Sequence, residues 1–254
     1  MLFPNAVLFH KPLIFRQFDG LVAVETTRHG GLSQAPFSSL NLGRSSGDAP
    51  ENVVENKRRL CEKLGIETAQ LVTGHQTHGD QILTAKTAGD FPDFDAKITA
   101  SPNLFLTVTV ADCTPILVFD KRTRAVAAIH AGWRGTTLEI VRKTLERMKN
   151  EFGTAAIDCF AYVGTCIGDC EFEVGEEVAD QFSIDFKTWN TERGKFFVDL
   201  KAANRAQLLA FGLPENQIEV SRFSTVENND DFFSYRKESG KTGRFWNLIG
   251  ILDN

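Results

Sequence analysis

Three apolar, β-rich runs separated by turns, at residues 104–110, 116–119 and 125–129, constrain the fold more than any other feature of the chain. A helical pattern follows them. Leu138, Val141, Leu145, Met148 and Phe152 recur at helical spacing, Thr136-Thr137-Leu138-Glu139 reads as a capping box, and Gly153 is the stop. Strands this apolar need covering layers, and the flanking sequence supplies them. A helix is expected from the cap Asp48, with Pro50 in its first turn, Val53, Leu60 and Leu64 on one face and Gly65 at its end. Further helices fit residues 176–182 and 200–211. Strands fit residues 21–27, 70–73, 81–85, 97–99, 157–163, 196–198, 217–221 and 245–251. No repeat or low-complexity linker divides the chain. The expectation is one α/β (α+β) domain over residues 1–254, with mixed β-sheets flanked by helices.

Hydrophobic side chains make up 42% of the chain and charged ones 24%, which supports a sizeable core. A net charge of −5 argues against a nucleic-acid binder, which normally presents a basic face. Anionic small molecules stay open, because a local Arg binds them against a negative global charge. The five cysteines, at 61, 113, 159, 166 and 170, show no framework spacing. The first residues carry no basic region or small-residue cleavage site, and no run approaches the ~18 apolar residues of a membrane span. A reduced, cytoplasmic protein away from membranes is expected.

Two of the apolar runs end at reactive side chains. The first leads into Ala111-Asp112-Cys113 and the third into His130, while a second imidazole lies upstream in Gln76-Thr77-His78-Gly79. One thiolate and two imidazoles suffice for a catalytic zinc, which takes three protein ligands and leaves one place open. The spacing is equally compatible with a small buried Cys and hydrogen-bonded histidines. Asp112 fits either a proton shuttle or a partner for a ligating imidazole, and Asp95 has the same two roles open. His75 and His78 form H-x-x-H, but Gly74 and Gly79 bracket a turn, so His75 is not expected as a ligand. Cys166 and Cys170 read as packing or free thiols. Arg134, between Gly132 and Gly135 at a helix start, is a candidate anion site, as are Arg28 and Arg244. Trp133 fits stacking on a base or sugar and packing equally well.

Eight strings are similar to those of the YfiH/YlmD family: T-R-H-G-G-L-S at 27–33, S-L-N-L-G at 39–43, Q-T-H-G at 76–79, D-A at 95–96, A-D-C-T-P at 111–115, I-H-A-G-W-R-G at 129–135, C-E-F-E-V-G at 170–175 and F-S-Y-R at 233–236. Its members are also called laccase-domain or polyphenol oxidase family proteins. The resemblance spans about residues 26–247. It implies a single α/β domain of two sheets flanked by helices, and a zinc ion on His78, Cys113 and His130. It also implies phosphorolysis of adenosine, inosine, guanosine or methylthioadenosine to base and ribose-1-phosphate, with hydrolytic deamination of adenosine.

Asp112 and Cys113 are then the candidate catalytic residues, and Arg28, Asn41, Gln76, Arg134 and Arg244 the candidates for holding nucleoside and phosphate. Familiar zinc deaminases use the Glu of an H-x-E motif, which this chain lacks, and Asp112 is the expected substitute. One departure is Thr165 after Gly164, where the family commonly carries Pro. Two other functions compete. A copper polyphenol oxidase of the multicopper kind needs more imidazoles than five His without an H-x-H pair provide. A Cys113 nucleophile with His130 as its base would instead make an amide hydrolase, and the resemblance implies cell-wall precursors as its substrates.

Overall fold

The apolar runs form the heart of the molecule, seen in a computed structural model that describes residues 7–253. In chain order the strands are β1 (Phe9–His10), β2 (Leu21–Thr26), β3 (Leu71–Thr73), β4 (Ile82–Thr84), β5 (Gly89–Asp90), β6 (Ala96–Thr99), β7 (Phe105–Val110) and β8 (Thr114–Asp120). They continue with β9 (Val126–Ala131), β10 (Cys159–Val163), β11 (Glu173–Val174), β12 (Lys187–Asn190), β13 (Lys195–Val198), β14 (Ile218–Val220) and β15 (Phe245–Ile251). The helices are α1 (Pro50–Leu64), α2 (Trp133–Thr137), α3 (Ile140–Phe152), α4 (Glu176–Ala179) and α5 (Leu200–Phe211). No helix among the described residues is long and apolar enough to cross a membrane.

Two six-stranded sheets result, in the orders β1-β2-β15-β7-β3-β5 and β14-β10-β8-β9-β6-β4. Both are mixed. In the first, β7 is antiparallel to β15 and parallel to β3; in the second, β10 is antiparallel to β8 and parallel to β14. Strand alternation then decides the layering. Ala23, Leu106, Val108 and Ile249 of the first sheet meet Leu117, Phe119, Ala128 and Tyr162 of the second. The outer face of the second sheet, including Ile116, Val118, Ala127 and Ile129, packs on Val141, Leu145 and Met148 of α3 and Leu208 of α5. The outer face of the first, including Val24, Phe105, Trp246 and Leu248, lies under Leu60 and Cys61 of α1. The four layers run helix, sheet, sheet, helix. Burial on both faces explains why the central strands are apolar throughout, each buried Leu, Ile, Val or Phe contributing roughly 1.5–3 kcal/mol.

Some local expectations are overturned. Thr136 is no cap: it lies inside α2, where its Oγ1 donates to the Gly132 carbonyl at 2.9 Å. Glu139 then breaks the chain at φ 60° before α3 begins. Leu138 falls in that break and is 45% exposed, rather than on the packed face. At the start of α1 the cap position belongs to Ala49, and the Asp48 carboxylate accepts from the Ala49 N–H and the Asn41 amide. The helix expected over 176–182 ends at Ala179. Strands β1, β5, β11 and β12 are too short or too polar to show periodicity. The last two pair with β13 in a third sheet, ordered β11-β13-β12, whose Val174 and Val198 pack with Ala179 and Phe182.

Candidate metal centre and cleft

Two crossings from the first sheet to the second build the site. After β3 the chain runs through residues 74–81 to β4, and after β7 through Ala111-Asp112-Cys113 to β8. Register does the rest. In the β8–β9 ladder Thr114 stands opposite Ala131 and Pro115 opposite His130, and in the β9–β6 ladder Ile129 stands opposite Ala96. Cys113, His130 and Asp95 therefore gather at one end of three neighbouring strands, and His78 reaches them from the first crossing. Cys113 and His130 do not owe their meeting to β7, which lies in the other sheet. They meet because Cys113 leads into β8. The ligand atoms of His78, Cys113 and His130 lie within 4.8 Å of one another. The two imidazoles meet edge-on with centroids 4.9 Å apart.

Asp95, not Asp112, serves the imidazole. Its Oδ1 lies 2.8 Å from His130 Nδ1, which leaves Nε2 as the ligating nitrogen. The same carboxylate accepts from the backbone N–H groups of His78 at 3.0 Å, Gly79 at 2.8 Å and Thr77 at 3.2 Å. Burial raises its pKa, but the hydrogen bond and charge of His130 and the N–H groups of Gly79 and Thr77 win, holding it well below the usual carboxylate range. Burial also raises the Cys113 thiol, yet His130 and His78 bring it down to about 6. His130, which burial alone would lower, is lifted to about 9 by Cys113 and Asp95. The thiolate is the form that binds metal, so the pocket favours it at neutral pH.

Backbone geometry shapes the same place. His78 and Asp112 have φ of 61° and 89°, a region that costs a non-glycine residue on the order of 1–3 kcal/mol. A Cβ on Gly132 would come within 3.1 Å of Cys113 Sγ and 3.2 Å of the His78 ring, so the strand end closes on the ligands only as glycine. Two imidazoles, a stabilised thiolate and a carboxylate behind one ring fit a divalent metal with an open position. This is the one group of metal-ligating side chains found among the described residues. His10 and His29 are occupied elsewhere, 2.9 Å from Glu25 and 2.8 Å from Asp231. His75 lines the neighbouring cleft outside the group.

A cleft of about 640 Å³ opens onto the three ligands. Arg244 lines it, with Nη1 donating to the Thr242 and Gly243 carbonyls at 2.9 Å. Gln76 also lines it, its amide exchanging bonds of 2.8 and 2.9 Å with the backbone of Thr109. Asn41 is fully buried behind the wall. It accepts from the N–H groups of Gly43 and Arg244 and donates to Ser46 and Asp48, which uses its whole capacity. Asp112 lines the cleft, and its carboxylate accepts from Thr225 Oγ1 at 2.5 Å, Ser234 Oγ at 2.7 Å and the Arg236 N–H at 2.6 Å.

Two expected anion contacts lie outside the wall. The Arg28 guanidinium is spent on the Ser38 and Asn229 carbonyls and Glu238, 4.5 Å from the Phe233 ring. Arg134 is exposed and stacks on Trp133 at 4.4 Å. Conversely, Arg44, Lys57, Phe172, Tyr235 and Arg236 line the cleft without having been singled out in the sequence. Phe172, Tyr235 and Arg236 did carry a signal, as parts of the C-E-F-E-V-G and F-S-Y-R strings.

A family model described as multi-copper polyphenol oxidoreductase laccase matches residues 22–252. The chain belongs to the YfiH/YlmD, or laccase-domain, family. A relative from Bacteroides thetaiotaomicron, named purine nucleoside phosphorylase, is 42% identical over 243 residues, 89% of each chain. Another of that name, from Deinococcus radiodurans, is 40% identical over 228 residues, 89% of this chain and 87% of its own. The crystal structure of YlmD from Geobacillus stearothermophilus matches with a TM-score of 0.89 at 33% identity, over 97% of this chain and 99% of that one.

Proposed function

We propose that this protein is a zinc-dependent purine nucleoside phosphorylase, acting on adenosine, inosine, guanosine and methylthioadenosine, that also deaminates adenosine hydrolytically. The observation that carries this reading is the convergence of His78, Cys113 and His130 on one large cleft, in a family with relatives named for the phosphorolysis. A volume of about 640 Å³ accommodates a nucleoside together with phosphate. The three side chains would hold zinc, which supplies Lewis acidity and activates water when bound.

The chain's own residues account for the remaining work. Arg244 attracts phosphate and steadies it for attack on the sugar C1′. Asn41 acts through Arg244, whose N–H it holds, and Gln76 fixes the His78 loop against β7. Asp112 is assigned the proton, its Oδ1 held by two hydroxyls while Oδ2 accepts the single Arg236 N–H. Arg28 and Arg134 are assigned no ligand. Met148, a potential axial thioether for a blue-copper centre, is buried between α3 and the second sheet, so such a centre would need an oxygen ligand in that place instead. All five cysteines are unpaired, which suits the reducing cytoplasm.

The test is to incubate zinc-loaded protein with adenosine and phosphate and separate the products by chromatography. Adenine with ribose-1-phosphate, and inosine, are expected; zinc-loaded protein that yields neither refutes the reading. One observation favours a second function. Cys113, His130 and Asp95 also stand in the order nucleophile, base and orienting carboxylate, as an amide hydrolase requires. Amide turnover that survives metal removal and disappears on alkylation of Cys113 would identify that enzyme instead.

A further inference from the structure

Three side chains on the α1 side of the cleft carry hydrogen-bond donors that have no acceptor among the described residues. Trp246 of β15 lines the cleft and is 1% exposed, and its buried Nε1 has no partner among the described residues. Lys57 of α1 places its ammonium over that indole, 5.1 Å from the ring centroid, and forms no hydrogen bond or ion pair among the described residues. Arg244 stands two positions before Trp246, on the same side of the extended chain. Its Nη1 is committed to carbonyls of its own segment, while Nε and Nη2 have no partner among the described residues.

The nearby carboxylate does not neutralise them. Asp90 is taken by Arg44 Nη1 at 2.5 Å and by Thr73 Oγ1 at 3.0 Å. Burial lowers the pKa of Lys57, with Asp90 opposing, and burial lowers that of Arg244, with Asp112 and Cys113 opposing. Ammonium, guanidinium and indole N–H are all donors without acceptor capacity. Half-buried cations of this kind are costly unless an anion meets them, and oxyanions reward them with charge-assisted bonds.

We propose that Lys57, Trp246 and Arg244 form an oxyanion subsite on the α1 side of the cleft, built to bind a phosphoryl group. This rests on the phosphorylase reading only in naming inorganic phosphate as a reactant. The same chemistry fits a phosphoryl group carried by a nucleoside 5′-monophosphate, and the cleft has room for either.

The test is calorimetric titration of zinc-loaded protein with inorganic phosphate and with adenosine 5′-monophosphate. Wild type is compared with Lys57→Met, Trp246→Phe and Lys57→Arg, with zinc content as the control for an intact site. Binding is expected to weaken at least about tenfold in Lys57→Met, less in Trp246→Phe, and to recover in Lys57→Arg. Phosphate binding on its own identifies the free anion as the ligand; nucleotide binding without it identifies the esterified group. Equal affinities in wild type and Lys57→Met, or no binding of either ligand to wild type, overturn the proposal. If phosphate binding depends on Lys57 but adenosine is never cleaved, the phosphorylase reading falls and the subsite stands. If phosphorolysis proceeds with an unchanged phosphate KM in Lys57→Met, the reverse holds.

Discussion

At the scale of single residues, Asp95 couples two candidate metal ligands through one carboxylate, orienting His130 and pinning the loop of His78. Replacing it by the isosteric amide keeps the shape but removes the charge and disturbs the His130 tautomer. Asp95→Asn is expected to weaken zinc binding about 10- to 100-fold in competition with a chromophoric chelator. Cys113→Ala should abolish stoichiometric binding. The cysteines also separate by environment. Cys113 is brought down to about 6, while burial pushes Cys159 and Cys166 up to about 12 and Cys61 to about 11. In chelator-treated protein at about pH 7, Cys113 is expected to alkylate well before those three. Its rate should rise as pH climbs through about 6 and level off above, as peptide mapping by mass spectrometry would show.

At the scale of elements, β6 carries a charge into the interior. Ala96 and Ile98 face the α3 side, so Lys97 points between the sheets, wholly buried, with Nζ donating to the Thr107 carbonyl at 3.0 Å. Burial lowers its pKa from 10.5 to about 8, with Asp95 and Asp90 opposing. The unfolded chain therefore binds this proton more tightly, and stability should rise with pH between those two values while the charge costs stability below them. Lys97→Met is expected to stabilise the protein by roughly 1–3 kcal/mol at neutral pH and to remove that alkaline rise. Urea unfolding at neutral and alkaline pH checks both. The break between α2 and α3 offers a second test. Glu139 holds φ 60° there, so Glu139→Gly should gain about 1 kcal/mol. The exposed Glu139–Arg142 pair it gives up is screened by solvent and offsets only part of that gain.

At the scale of the whole molecule, the candidate metal centre ties together two of the crossings that join the sheets. His78 lies on one crossing, Cys113 on the other, and His130 at the end of β9. A metal held there would link binding to folding. A thousandfold excess of zinc over its Kd should add about 4 kcal/mol of stability, and a chelator should remove it. In thermal scans the Cys113→Ala variant is expected to lose this zinc response while remaining folded, because the three helix–sheet and sheet–sheet cores do not include the ligands. A variant that still responds fully to zinc would place the metal elsewhere.

The residue string alone was enough to reveal the apolar strands, the helix Leu200–Phe211, the terminal strand Phe245–Ile251 and the three ligand candidates. Those features depend on side-chain chemistry and short-range periodicity, which are written locally. Tertiary structure alone decided that β7 and β8, consecutive in the chain, belong to opposite sheets. It also decided that Asp95 rather than Asp112 backs His130, and that Lys57 comes to rest over Trp246. The failed capping box shows the same limit at short range, since Thr136 could bond forward as a cap or back to Gly132 with similar energy. Sheet membership and register are set by pairing between residues far apart in sequence, and burial pattern alone does not encode which distant strand is the partner.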